Sequence, residues 1–416
     1  MKDAQSLAWK IIQFGVLLLP IFPVLSGLSL LVVLIIIWIK EFRQIVNNSL
    51  TKLLGIFSIW LIMISIFANN QRESWLGLAN FIPFITVFLG FRFVINQPEK
   101  LKKIAWLLII PSSLVVILGI GQLFFNWQIK PNFLGWELLL NGNPEGRLAS
   151  VFMYANICAY YLTIVFSLNL GLWFAYLRKF QVNFTSKNTQ LLIFLTVNLI
   201  LTITGLILTS SRNAWGLAIL ISLALIIYWG WYWLSLMIVT AILTVFWASF
   251  GVNPSRQWFR NLIPEYFWGR LSDEMYPDRP LATLRKTQWN FVLEMTQQRP
   301  LIGWGLRNFT PLYEAKMNLW LGHPHNLFLM LLGEIGIPGM IFFTGIVGGI
   351  MVKTCRVFKD YSESERLILF SYLITFISCS LFNFFDVTIF DLRMNLIGWL
   401  ILTSIAGLVF RESSDY

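Results

Sequence analysis

The sequence predicts an all-α integral membrane protein of about twelve transmembrane helices with one long external loop. Of its 416 residues, 57% are hydrophobic and only 12% charged, and the mean hydropathy is +0.70. A soluble domain carries about a quarter charged residues, so a cytosolic enzyme and a disordered chain are both excluded. Apolar runs near twenty residues recur between short polar segments, the length that crosses a hydrocarbon core about 30 Å thick.

Spans are predicted at 11–24, 26–39, 53–69, 75–91, 104–125, 150–177, 190–209, 213–229 and 232–250, then at 326–352, 367–385 and 394–410. The first two are divided only by Pro20, Pro23 and Gly27. At about 1.5 Å per residue they are too long for one untilted crossing, so a tight helical hairpin is expected. The polar opening Met1–Lys10 has no small-residue cleavage site after its first apolar run, and the first span is expected to be retained. The chain thus divides into nine spans over 1–250, a long external loop over 251–324, and three spans with a short cytoplasmic tail over 325–416. The loop is rich in Trp, Tyr, Phe, Pro and Arg, a mix that predicts helices lying apolar side down on the membrane surface.

The net charge of +11 suggests nucleic acid in a soluble protein, but no basic block with interleaved aromatics stands out. With the N-terminus inside, 17 Lys and Arg fall in inside segments and 14 outside, nine of the latter in the long loop. Long loops contribute little to orientation, so the comparison becomes 17 against 5 and predicts both termini in the cytoplasm. Cys158, Cys355 and Cys379 are scattered, which leaves neither a disulfide framework nor a metal-spaced cluster. No inside connection is long enough to hold a nucleotide-binding fold.

Between Lys10 and Lys353 the predicted spans contain one charged residue, Glu334. Coupled transport usually needs ionisable groups at mid-membrane, so their scarcity weighs against it. Polar groups gather instead at the outer ends of spans: Arg147, Ser210-Ser211-Arg212-Asn213, Asp386, Asp391 and Arg393. The only two histidines, His323 and His325, flank Pro324 where the long loop re-enters the membrane. A lone interfacial histidine is more often structural, but two around one proline, near the single embedded acid, point to function. A metal site is disfavoured, because no third His exists and no nearby Cys or carboxylate has ligand spacing. On a continuous helix Glu334 and His325 would face opposite ways about 13 Å apart. Glu334 is therefore expected to bond backbone groups freed where Gly333–Gly339 breaks the helix.

Arg212 opens a span after two serines, where a guanidinium, hydroxyls and helix N-terminal amides together suit a phosphate. The alternative is a snorkelling interface residue. Arg285 and Trp289 lie one helical turn apart and share a face, either as a binding surface or as a solvated amphipathic one. Arg147 begins another span, and the three arginines can converge on one anion.

These residues resemble a known family. His325-Asn326, nine residues, then Gly336-Ile337-Pro338-Gly339 is similar to the His-Asn and Gly-x-x-Gly signature of the O-antigen ligase and polymerase superfamily. Trp289, Arg299-Pro300-Leu301-Ile302-Gly303-Trp304-Gly305 and Asn308-Phe309 resemble its upstream stretch, and Thr209–Ala214 its Ser-Arg motif. Tyr154-Ala155-Asn156 departs from the Asn-Pro-Asn often found in the family, which leaves the role of Asn156 open.

The resemblance implies a glycosyltransferase needing neither metal nor other cofactor, on the outer face of the bacterial cytoplasmic membrane. It would move a glycan from a polyprenyl-pyrophosphate carrier to a hydroxyl of an acceptor glycolipid, glycan or protein, with the bilayer and no nucleic acid as its other partner. His325 would be the general base, and Arg212 and Arg285 would hold the pyrophosphate. Arg147, Ser211, Trp289, His323, Asn326 and Glu334 would support them. The same superfamily resemblance carries an alternative, an inorganic-carbon transporter for bicarbonate, and a non-catalytic scaffold is a third class. Ligase and polymerase are not distinguished.

Overall fold

A computed structural model describes residues 2–130, 136–182, 185–272, 274 and 280–410. Arg411 and the tail after it, counted in the charge tally, lie outside the described residues. Among those residues the regular structure is helical, apart from isolated bridges joining Ile129 to Leu138 and Gly142 to Arg147. The helices are α1 (Lys2–Leu18), α2 (Pro23–Asn47), α3 (Ser49–Ile66), α4 (Gln71–Leu78), α5 (Ile82–Phe91), α6 (Pro98–Phe124), α7 (Ala155–Val182), α8 (Ser186–Leu208), α9 (Arg212–Trp229) and α10 (Tyr232–Phe250). The long loop adds α11 (Ser255–Leu262), α12 (Glu265–Leu271), α13 (Arg285–Gln298) and α14 (Phe309–Met317), and the chain continues with α15 (Leu327–Val357), α16 (Glu363–Phe382) and α17 (Leu392–Val409).

Eleven stretches among the described residues are long and apolar enough to cross a bilayer, and Ser6–Leu18 is a shorter apolar helix. The fold is all-α and polytopic, as the composition predicts. The first two apolar runs are separate helices: α1 stops at Leu18, α2 starts at Pro23, and the Ser26 hydroxyl donates to the Gly15 carbonyl at 2.7 Å across the hairpin. The span expected at 75–91 is two pieces, because Pro83 in the first turn of α5 has no N–H for a continuing helix. The most hydrophobic 18-residue windows of α7 and α17 are 83% and 89% buried within the protein, against 11% for α10, so those two form the axis and α10 faces outward. Between α6, α7 and α8 the Asn169 amide donates to Asn198 Oδ1 at 2.7 Å, and Asn198 donates to Ser113 at 2.7 Å. Such polar groups in an apolar bundle find their partners across helices.

The long loop departs from the expectation of helices resting on the membrane. Phe291, Val292 and Met295 of α13, Phe309 and Tyr313 of α14, Met330 of α15 and Val387 make a small core of their own above the bundle. Only α11 fits the surface description, with no buried residue and with Trp258 and Leu262 exposed. The cap is locked to α15 by the stretch Pro300–Gly305. Trp304 N–H donates to the Gly333 carbonyl at 3.1 Å, Gly305 N–H to the Glu334 carbonyl at 2.9 Å, and Ile337 N–H to the Pro300 carbonyl at 2.8 Å. Gly336 breaks the helix at φ +74°, and a Cβ there would sit 2.3 Å from the Leu301 carbonyl oxygen, so only glycine fits.

Candidate active site

Between α8 and α9 the chain turns through Thr209-Ser210-Ser211, with Ser210 in the left-handed region at φ +52°. That turn is held by a 2.5 Å hydrogen bond between the Ser210 and Tyr266 hydroxyls, and Tyr266 also donates to the Ile207 carbonyl at 3.1 Å. Arg212 is the first residue of α9, and Ser211 stands at its N-cap without a side-chain capping bond. The helix therefore presents its positive end beside a guanidinium.

This end of α9 forms one wall of a cavity of about 920 Å³ lined by Arg147, Arg212, Arg270 and Arg285, with Ser210, Ser211, Glu145 and Asp386 among them. Each guanidinium is oriented by a backbone carbonyl. Arg147 Nε donates to Thr209 at 2.8 Å, Arg212 Nη1 to Arg270 at 2.8 Å, Arg270 Nε to Ser210 at 3.1 Å and Arg285 Nη2 to Phe385 at 3.0 Å. The structure thus brings together the three arginines singled out from the sequence and adds Arg270. No motif marks Arg270, which is one of several arginines in the long loop.

His323 and His325 sit beside this cavity with ring centroids 4.6 Å apart. His325 takes the left-handed backbone, φ +51°, immediately before Asn326. Asn326 is the N-cap of α15, accepting from Leu329 N–H at 2.9 Å, so the second residue of the His-Asn pair shapes the helix start. Trp289 donates from Nε1 to the Pro324 carbonyl at 3.0 Å. One face of α13 therefore carries Arg285 into the cleft and fixes the histidine segment with Trp289.

The carboxylate facing the histidines is Asp386, buried in the connection between α16 and α17. Its Oδ1 lies 3.6 Å from His325 Nδ1 and 3.8 Å from His323 Nε2. Its Oδ2 accepts from Asn156 Nδ2 at 2.7 Å, and Asn156 Oδ1 accepts from Arg147 Nη2 at 2.6 Å. Asn156 thereby ties the arginine cleft to the histidine pair. This corrects the expectation that no carboxylate accompanies the histidines: one arrives from some sixty residues along the chain, at a spacing no local pattern reveals. Glu334 lies elsewhere. Its Oε1 accepts from Phe309 N–H at the start of α14 at 3.2 Å, and the backbone groups of Gly333, Glu334 and Ile337 at the α15 break are taken by the Pro300–Gly305 stretch, with the Ile335 carbonyl accepting from Trp60 Nε1 at 3.1 Å.

Burial raises the Asp386 carboxyl, but the two imidazoles facing it, His325 foremost, and the Val387 N–H outweigh it and hold the group below the ordinary carboxylate value. Burial pushes His323 down from 6.5 to about 4, against the pull of Asp386 and with His325 and Arg285 adding to the push. The donor atoms of His323, His325 and Asp386 lie within 4.8 Å of one another, close enough to test as a cation site. His323 fits poorly. Its Nδ1 accepts from His325 N–H at 3.2 Å, so in the neutral ring the proton is on Nε2, the nitrogen that faces Asp386. A cation between them would have to displace that proton.

The depressed His323 value has a stability consequence. The unfolded chain takes up a proton near 6.5 that the folded chain takes up only near 4, so stability falls as pH drops through that window. Asp386, also depressed, has the same sign but a lower window: its contribution is present above the unfolded carboxylate value and is lost only as pH falls below it. Detergent-solubilised wild type is expected to lose stability between pH 6.5 and 4 more steeply than His323→Gln, by on the order of 1 kcal/mol per pH unit. Thermal unfolding followed across that range checks this, and parallel curves for the two proteins would contradict it.

No curated protein matches the chain. A family model does match, over residues 197–344, and its description is O-Antigen ligase. The matched stretch holds Arg212, Arg270, Arg285, Trp289, both histidines, Asn326 and Glu334, and leaves out Arg147, Asn156 and Asp386. Residues 197–344, about a third of the chain, are thus similar to the O-antigen ligase family, and they sit within an all-α membrane architecture.

Proposed function

We propose that the protein transfers a glycan from a polyprenyl-pyrophosphate carrier to an acceptor hydroxyl at the external face of the bacterial cytoplasmic membrane. The observation that carries this reading is a cleft lined by four arginines and a helix N-terminus, wired through Asn156 to a carboxylate facing two histidines. Arg212 and Arg285, with Arg147 and Arg270, neutralise the pyrophosphate without a metal, as guanidiniums and helix amides do for phosphates. Gly216, Leu217, Leu220 and Leu381 form an apolar foot to the cleft, suited to the start of a polyprenyl chain.

His325 takes the proton of the acceptor hydroxyl on Nε2, while Asp386, 3.6 Å from Nδ1, offsets the imidazolium charge that forms. The acceptor oxygen bonds to the anomeric carbon as the bond from that carbon to pyrophosphate breaks. The carrier leaves with its pyrophosphate, and the imidazolium gives its proton to water. Asp386, Asn156, Trp289 and Asn326 are positioning residues.

The test is transfer by the purified full chain from a polyprenyl-pyrophosphate glycan in detergent, with and without a chelator. Transfer unaffected by the chelator supports the reading. Uptake of labelled bicarbonate by vesicles containing only this protein, with no transfer, would replace it with the carrier.

The orientation is tested separately. In a background without the three native cysteines, Val252→Cys is expected to react with an impermeant thiol reagent from outside, and Lys187→Cys only after permeabilisation. Reversed labelling would put the cleft in the cytoplasm and remove the external reaction.

A further inference from the structure

A second cavity, of about 560 Å³, lies against the histidine pair and includes Glu73, Arg307, Glu314, Trp320, His323 and Phe390 in its lining. It shares no lining residue with the arginine cleft. The two meet where Asp386, on the wall of the cleft, comes within 3.8 Å of His323, on the wall of the second cavity. His325 touches both partition residues, 3.6 Å from Asp386 and 4.6 Å from the His323 ring.

We infer that this second cavity is the subsite for the acceptor, and that the unit entering it is a sugar carrying no phosphate. The inference rests on the transfer reading above and assigns the side from which the nucleophile comes. A single displacement at an anomeric carbon brings the attacking oxygen in opposite the departing group. With pyrophosphate held among the arginines, the acceptor must approach across the histidines, and the second cavity is what lies there.

Its chemistry differs from the cleft in the way this demands. Arg307, a cation on its wall, is engaged with Glu73, Nε to Oε2 at 3.0 Å, and Glu314 adds a carboxylate. Carboxylates accept hydrogen bonds from sugar hydroxyls and repel a second pyrophosphate or a phosphorylated sugar. Trp320 is 67% exposed at this cavity, and Phe390 lies nearly parallel to the His323 ring, centroids 6.2 Å apart. Aromatic faces beside polar acceptors make a surface for the apolar face of a pyranose.

The test uses the full chain in nanodiscs with a panel of diazirine-bearing octyl glycosides (glucoside, galactoside and N-acetylglucosaminide), mapping the crosslinked peptides. Crosslinks are expected on peptides containing 307–323 or 70–80. They should fall about fivefold or more in Trp320→Ala and Glu314→Gln, the weakening expected from losing one good contact. Inorganic pyrophosphate should not displace them. Crosslinks confined to 205–216 and 266–289 and displaced by pyrophosphate, or no specific crosslink from any of the three sugars, would overturn the subsite. The transfer reading is judged apart from this, by pyrophosphate binding to wild type and its loss in Arg212→Lys. Pyrophosphate binding without sugar crosslinks defeats the subsite alone, and sugar crosslinks without pyrophosphate binding defeat the transfer reading.

Discussion

His325→Ala is expected to lower glycan transfer by about 10²–10⁴-fold, the usual worth of a positioned general base, while abundance and donor binding stay close to wild type. The reason is positional. His325 presents Nδ1 to a buried carboxylate 3.6 Å away, so its other nitrogen is the one left to take a proton. His323→Ala is expected to cost less, because its Nδ1 already accepts the His325 N–H and its pKa of about 4 makes it a weak base at neutral pH. Asp386→Asn should follow His325→Ala in direction, since an amide neither fixes the tautomer nor balances the imidazolium. Steady-state transfer measured beside donor binding checks all three. Equal losses from the two histidines, or loss of folded protein, would turn the pair into a structural feature.

The second large effect concerns the leaving group. Arg212→Lys and Arg285→Lys each keep a charge but lose the planar fork, and each is expected to leave transfer about tenfold or more below wild type. Full loss of one such transition-state donor typically costs about 10²–10³-fold. The two arginines come from the start of α9 and the start of α13, and each donates to a different backbone carbonyl. If both grip one pyrophosphate, the double variant should fall less than the product of the single losses, because groups holding one anion act as a unit. Strictly multiplicative losses, or full activity of either Lys variant, would separate the arginines from a shared leaving group. Strong inhibition of wild type by a chelator would return the role to a metal.

The all-helical membrane fold was legible because a bilayer demands long apolar runs, and those survive in the sequence as composition. Arg212 and the histidines were legible for a related reason: in a chain with one embedded charge, polar residues at span ends stand out. Arg285 and Trp289 were found through helical spacing, and α13 does carry both on one face. What stayed hidden depends on tertiary return. Asp386 was visible as a polar residue at a span end, but its pairing with histidines sixty positions earlier exists only once α15, α16 and α17 pack. Asn156 joins two sites through a single side-chain amide, for which no periodicity exists. Arg270 sits among other loop arginines with nothing local to separate it. Glu334 was expected to serve the helix break, yet the break is filled by a loop whose three backbone hydrogen bonds leave no pattern beyond its glycines.

That loop-to-helix lock gives the protein a built-in reporter. The N–H groups of Trp304, Gly305 and Ile337 are bonded across 29, 29 and 37 residues of chain rather than within a local turn. They can exchange with solvent deuterium only when the Pro300–Gly305 stretch lifts off α15. Exchange at these three amides therefore measures one event, the unseating of the cap that carries Arg285 and Trp289 over the histidines. A substrate that needs the cap seated will slow all three together, and one that pries it open will quicken all three.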